Sequence, residues 1–361
     1  MSKTIKTSLG EFDKEKITAL INVRSLVLDH IRRYFRKSNF TEVTTSSLVN
    51  IAGSCENPYA SFPVNYYGKE AHLSQSAQLQ LEALVLRLRR PFYTINNSFR
   101  EEHYNDPEQA GRRLTEFTLI ESEWPLDKKS TPEQGLNDVI ETQIDTIVYG
   151  LGGETRKLTS LAFDTFCYRE NPKLNINWEY LVNVLVQLDR GRSKPLNVIN
   201  YDGALELLNE QGYNHKFGDD LGIKEERLIL KHFDNLPVFV THFPASLKFF
   251  NLKRTPDGLR TYSVDLLLPP LGETIGGGVR EENIDTLKQQ YIESRVANYL
   301  REKGRDPIAP FSEYFSIFEQ EAPLLRAGYG LGFERFIGFL LNSNDILNTI
   351  AYRTLQPGGR T

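Results

Sequence analysis

Between Asn97 and Pro125 the chain reads NSFREEHYNDPEQAGRRLTEFTLIESEWP, and this stretch restricts the fold more than any other. Its two ends, Ser98–Glu102 and Glu116–Trp124, read as extended segments. The residues between them, from His103 through Asp106, Pro107 and Gly111 to Arg112 and Arg113, read as a loop. Successive side chains of a strand point to opposite faces. Phe117, Leu119, Glu121 and Glu123 therefore share one face, and Arg100 and Glu102 share one face of the strand before. Phe117 and Glu121 are separated by roughly 13 Å at a rise of about 3.3 Å per residue. An aromatic, an arginine and several carboxylates aimed one way suit a small, charged, partly planar ligand. A hairpin with one solvated face also alternates charged and apolar residues, so on this stretch alone both readings stay open.

The length of 361 residues admits about two domains or one large unit, with ample chain for a core. The net charge of −4 provides no overall attraction for nucleic acid. The local basic clusters at His30–Lys37 and Arg87–Arg90 read as solvated helix faces. Two cysteines, Cys55 and Cys167, make neither a disulfide framework nor a CxxC metal motif. No apolar run approaches membrane-spanning length, and the polar N-terminus lacks the apolar core of a secretory signal. A cytoplasmic protein is expected.

The organisation follows from periodicity. Residues 1–13 read as a flexible arm. Residues 14–361 read as one catalytic domain, with 151–235 as a possible inserted module. Lys14–Lys37 carries a helical stripe through Leu20, Leu28, Ile31 and Phe35. Phe40–Thr44 reads as a short strand, Ile51–Gly68 as a long loop, Ser74–Arg90 as a helix and Phe92–Asn96 as a strand. Thr131 and Pro132 open a helix that Gly150 closes. Pro237–His242 and Thr261–Leu268 read as buried strands, Glu282–Lys303 as one long helix, and Gly328–Leu341 as a strand running into a helix. Strands and helices do not alternate regularly, so the expected fold is α+β, a mainly antiparallel sheet backed by helices.

Three further groups carry chemistry. Asp265, read as the end of an apolar strand, and Glu273 flank a turn. Two such carboxylates can hold Mg²⁺, a hard cation that prefers oxygen ligands; on spacing alone a metal-free pair of loop acids is an equal reading. Gly276, Gly277 and Gly278 precede Arg280, whose fork suits a carboxylate or carbonyl. Gly328, Gly330 and Gly332 alternate before Arg335. The run is not a phosphate-binding P-loop, because the lysine and Ser/Thr are missing. Glycines in a strand clear one face for a flat object or for close packing.

Taken together these pieces resemble the catalytic core of a class II aminoacyl-tRNA synthetase. The segments LSQSAQLQLE, EFTLIESE, VFVTHFPASLKFF, VDLLLPPLGETIGGGVREE, GYGLGFERFIGFLL and IAYRT resemble asparaginyl-tRNA synthetase, from about Arg24 to Thr354. The resemblance implies ATP and Mg²⁺ as cofactors and a homodimer. It implies that Arg100 contacts the α-phosphate, that Glu102 seats ATP, that Arg113 lies near the γ-phosphate, and that Phe117 and Arg335 sandwich the adenine. The same resemblance implies that Arg100 and Arg335 are the catalytic pair. Asp265 and Glu273 would hold the metal. Glu56, Ser76 and Gln78 would bind the substrate ammonium group, and Arg280 and Glu121 its side chain. An amide offers an acceptor to arginine and two donor hydrogens to a carboxylate. The aspartyl relatives have a lysine where this chain has Leu81. Asparagine, or a close analogue, is therefore expected over aspartate.

Three features depart from the family pattern. The chain begins almost at the catalytic core, without an N-terminal anticodon-binding barrel. Ser46 stands where the first motif has a proline that shapes the dimer interface. Glu319, Gln320 and Arg326 replace two arginines and a histidine before the third motif, which implies an altered pocket for substrate or tRNA end. The leading expectation is activation of asparagine as an aminoacyl-adenylate and transfer to an acceptor other than cognate tRNA. Three alternatives stand beside it: amidation of aspartate with ammonia, a non-catalytic amino-acid- or nucleotide-binding regulator, and tRNA charging without an anticodon domain.

Overall fold

The computed structural model describes residues 6–7, 10–11, 13–51, 57–101, 112–152, 174, 176–190 and 196–351. Strands are numbered along the chain. The first two, β1 (Lys6–Thr7) and β2 (Gly10–Glu11), pair with each other. The frame is an eight-stranded sheet, in the spatial order β3 (Thr41–Glu42), β7 (Phe92–Phe99), β8 (Glu116–Pro125), β13 (Arg326–Gly332), β12 (Gly272–Arg280), β11 (Ser263–Leu268), β10 (Val238–Thr241) and β9 (Val198–Asn200). Every pairing from β7 to β10 is antiparallel, and only the edge strands β3 and β9 join in parallel. The expected mainly antiparallel α+β sheet is the sheet observed.

The period-two alternation gives this sheet two unlike faces. Ile120, Val264, Ile275, Val279, Ala327 and Leu331 point to one side. There they are covered by α1 (Lys14–Lys37) and α3 (Pro132–Gly150), through Val23, Val27, Ile31, Val139, Ile144 and Ile147. Both helices begin where their sequences provide a cap. Asp13 accepts from the amides of Glu15 and Lys16, and Thr131 and Gln134 close a reciprocal capping box with Pro132 in the first turn. The opposite face carries Phe117, Leu119, Glu121 and Glu123 of β8, the alternating glycines of β13, and Arg280 of β12. It is flanked by α2 (Gln78–Leu88) and a second apolar cluster that includes Phe250, Tyr291, Phe311 and Phe315.

Several boundaries differ from the sequence reading. The Ile51–Gly68 loop contains β5 (Pro63–Tyr66), which pairs with β6 (Lys69–Leu73); β6 in turn pairs with β4 (Leu48–Val49). The turn between β5 and β6 places Tyr67 and Gly68 at φ of 52° and 78°, the two-residue geometry of a tight hairpin. The single helix expected over Glu282–Lys303 is two, because Ser294 caps a fresh start with its side chain on the amide of Ala297. Asp265 lies in the middle of β11 and not at its end.

The described part of 151–235 joins the main body. There α4 (Trp178–Arg190) buries Leu181, Val184, Leu185 and Leu188 in the central cluster. Next, β9 extends the sheet, and α5 (Tyr201–Glu210) and α6 (Ile223–His232) pack under β10 and β11. Two further helices, α7 (Ile284–Ile292) and α8 (Arg295–Glu302), precede α9 (Ser312–Gln320). Last is α10 (Phe333–Leu340), which follows β13 directly.

Candidate active site

The polar face of the sheet opens into a cleft. Its inner cavity is lined by Gln78, Arg100, Arg113, Phe117, Glu121, Glu273, Arg280 and Arg335, so eight of the sequence-predicted site residues meet there. A larger chamber of about 670 Å³ adjoins it, shares Gln78, Arg100, Glu273 and Arg280, and adds Asp265. Glu56 and Glu102 lie outside the described residues. Ser76 is a correction. It is 2% exposed and lines neither cavity, and its hydroxyl donates to Glu121 Oε1.

At one end of the cleft the charges are paired by the protein itself. Glu121 sits at the N-terminus of α2, where the amide of Ala77 donates to its Oε2 at 2.8 Å; the helix dipole favours a carboxylate there. Arg280 donates from Nε at 3.0 Å and from Nη2 at 2.5 Å to a single oxygen of Glu123. Glu123 is locked in turn by β13, because a Cβ on Gly328 would lie 2.1 Å from its carboxyl carbon. Gly330 is different: a Cβ there would make ordinary contacts with Glu121, to Cγ at 3.6 Å and Oε1 at 3.9 Å, so this glycine leaves room above the sheet. Burial pushes the Glu123 carboxyl up to about 7 against the pull of Arg280. Arg280 is itself driven further up: burial opposes its charge, and Glu123 and Glu82 more than offset that. The group that titrates near neutrality is therefore the carboxyl and not the guanidinium.

Arg326 lines neither cavity; it is fully buried and bonded to the equally buried Glu82 through Nη2 and, at 3.1 Å, through Nε. Asn251 and Tyr314 also donate to Glu82. Leu81 does line the inner cavity.

The other end gathers carboxylates. Asp265 and Glu273 lean over Gly276 from two strands, and a Cβ on that glycine would sit 3.2 Å from Asp265 Oδ1 and 3.1 Å from Glu273 Oε1. A β-bulge makes this possible. The register of β11 on β12 slips between Leu266 and Leu267, so Ile275 and Glu273 face consecutive residues and Thr274 is the extra one. Burial, reinforced by Glu273 and only partly offset by Lys248, pushes Asp265 up to about 7. Lys248 reaches both of its oxygens, at 2.7 and 2.5 Å. Two hard-oxygen donors converging on a gap the size of a methyl group fit a small divalent cation. Among the described residues no cluster of three or more metal-ligating side chains occurs.

Arg335 donates to the carbonyl of Glu273 and lies 3.5 Å from its carboxylate. Arg100 rests over the ring of Phe117, 5.7 Å from its centre, so in this structure that face of the ring carries an arginine. Neighbouring residues that sequence reasoning assigned no role hold this end together. Glu334 accepts from the amide of Thr118 at 2.8 Å and from Arg24 at 2.9 Å, tying α10 to β8 and α1. Elsewhere, His72 is hydrogen-bonded to Ser61 at 2.7 Å and to Glu70 at 3.2 Å, but none of the three lines the cleft.

An antiparallel sheet with a motif hairpin, a Gly-Arg strand–helix pair and a carboxylate pair on one face defines the class II aminoacyl-tRNA synthetase catalytic core. The profile of the tRNA synthetases class II (D, K and N) matches residues 2–356, and the chain belongs to that family. Among its relatives, an asparagine–tRNA ligase of Pyrococcus abyssi is 30% identical over 95% of this chain and 68% of its own length. A cytoplasmic asparagine–tRNA ligase of Dictyostelium discoideum is 31% identical over 94% of this chain, but the match spans only 46% of that protein. Among solved structures, asparaginyl-tRNA synthetase from Pyrococcus horikoshii complexed with asparaginyl-adenylate superposes with a TM-score of 0.74 at 27% identity, covering 93% of this chain and 68% of the other. Among the described residues no helix is long and apolar enough to cross a membrane.

Proposed function

We propose that this cleft activates asparagine with ATP, forming asparaginyl-adenylate and pyrophosphate. The observation that carries the choice of substrate is the charge balance at the Arg280 end. Arg280 is answered by Glu123 and Arg326 by Glu82, and the carboxylate of Glu121 accepts from the Ser76 hydroxyl and the Ala77 amide on the wall of the inner cavity. A neutral amide finds a guanidinium for its oxygen and a carboxylate for its hydrogens. An aspartate side chain would meet Glu121 as a like charge, and Leu81 brings no cation to relieve it.

The chain's residues act by position and charge. Arg100, Arg113 and Arg335 line the cavity where phosphate charge would be held, and Gln78 lies beside it for the ammonium group. Asp265 and Glu273 would hold Mg²⁺, which supplies charge neutralisation on the phosphates when bound. A carboxylate oxygen of asparagine attacks the α-phosphorus, and the bond to pyrophosphate breaks. The nucleophile is already ionised, so no general base is required. The test is ATP–pyrophosphate exchange with each amino acid in turn. Asparagine should give the largest exchange; aspartate in its place would sink the assignment.

For the acceptor we favour a group other than cognate tRNA, taken up in the adjoining chamber. In support, the third-motif approach that is basic in the family carries an exposed Glu319 paired with Lys288 at 2.5 Å. A second reading, transfer to tRNA, draws on the relatives' names as asparagine–tRNA ligases. Retention of labelled asparagine on tRNA at physiological salt separates the two. The working unit in either case is a homodimer, as the resemblance implies.

A further inference from the structure

The stretch between α3 and β10 has no part in the chemistry above, yet one of its residues reaches the cleft. Glu226 stands in the first turn of α6 and is 5% exposed. Its Oε2 accepts from Arg112 Nη2 and from the backbone amide of Glu273, the latter at 2.9 Å. Arg112 is held a second time, by Nε donating to the carbonyl of Leu271 at 3.0 Å. A single oxygen thus joins the foot of the hairpin loop to the turn that launches β12. The turn itself is built around that oxygen. Gly272 has φ of 80°, and a Cβ there would lie 1.8 Å from Glu226 Oε2; only glycine meets both conditions at low cost.

The consequence is directional. Fixing the amide of Glu273 fixes where its side chain leaves the strand, just before the Thr274 bulge that turns it toward Asp265. Fixing Arg112 places a guanidinium on the wall of the inner cavity. We infer that Glu226 is a positioning residue for the phosphate-and-cation end of the cleft, setting Arg112 and Glu273 together and so tuning how much divalent cation nucleotide binding requires. Partners that orient a metal ligand characteristically change metal affinity by about 10- to 100-fold when removed. The inference rests on the reading that the cleft takes ATP with Mg²⁺.

The test measures binding by the full chain, with a non-hydrolysable ATP analogue titrated calorimetrically at a series of Mg²⁺ concentrations and asparagine titrated separately. Glu226→Gln keeps the shape and one acceptor oxygen. It should raise the Mg²⁺ needed for half-maximal nucleotide binding about tenfold, with asparagine affinity close to wild type and the chain still folded. Gly272→Ala, which pushes the same turn off Oε2, should raise it in the same direction. An unchanged Mg²⁺ requirement in folded Glu226→Gln overturns the inference. So does a parallel loss of asparagine and nucleotide affinity, or failure of both variants to fold, because either makes Glu226 a stability residue only. If the wild-type chain binds no nucleotide at any Mg²⁺ concentration, the reading of the cleft falls first and takes the inference with it. Wild-type binding beside an unmoved variant overturns the inference alone.

Discussion

The two ends of the cleft handle buried charge in different ways. At the Arg280 end, arginines and glutamates are bonded directly to each other, and Arg326 and Glu82 are both fully out of solvent. At the Asp265 end each carboxylate also has a basic neighbour, in Lys248, Arg335 and Arg112, but three carboxylates crowd together: Glu273 and Glu226 raise the cost of ionising Asp265, and Glu273 that of Glu226. A self-neutralised region is stiff and suits a cargo recognised by hydrogen bonds. A crowded one is relieved by an arriving cation and suits a cargo that is itself highly charged. The contrast therefore assigns stability mainly to the first end and ligand-dependent charge balance to the second.

The sharpest way to break this contrast is Glu82→Ala. Removing one partner of a buried pair leaves the other charge uncompensated, which costs roughly 3–5 kcal/mol. Denaturant unfolding should show a loss of that size, and a loss below about 1 kcal/mol would dissolve the distinction. Next in size, Arg100→Ala and Arg335→Ala should each lower ATP–pyrophosphate exchange by about 10²- to 10³-fold, the usual worth of one preorganised charge on a transition state. Their unfolding midpoints should stay near wild type; retained exchange in either would contradict its placement.

The smallest effect is a slope. A carboxyl whose folded value is raised binds its proton more tightly in the native state, so it stabilises the fold at low pH and that contribution is lost as pH rises. For Glu123 the window runs from about 4.5, its ordinary value, to about 7. Tm measured across that window should fall more steeply in the wild type than in Glu123→Gln. Parallel curves would mean that Arg280 keeps the carboxyl ionised throughout.

How much of this was legible in the chain depended on distance along it. Phe117, Glu121 and Glu123 could be placed on one face because strand geometry is local and has period two. The cap at Thr131 was equally local. Glu82 with Arg326, and Glu226 with Arg112, lie 244 and 114 residues apart, and no periodicity announces such a pair. For the same reason Arg326 read as a change in the pocket wall and Ser76 as a direct substrate contact, although the first is fully buried on Glu82 and the second is bonded to Glu121. The 282–303 stretch read as one helix because both of its halves are amphipathic; the break rests on a single hydroxyl, that of Ser294. The β5–β6 hairpin was hidden because its turn carries a tyrosine in a conformation that favours glycine or asparagine.

The extra residue at Thr274 has one more implication. Side-chain direction along β12 is set by counting, and the extra residue lets Glu273, two positions from the core-facing Ile275, leave the strand on the opposite side. A frame-preserving loss of that one codon would keep Glu273 opposite Leu267 and on the face of Asp265, in a strand of regular pleat. The divalent-ion ligand pair would survive the deletion. At this position a change of length is gentler on the pair than a replacement of either carboxylate.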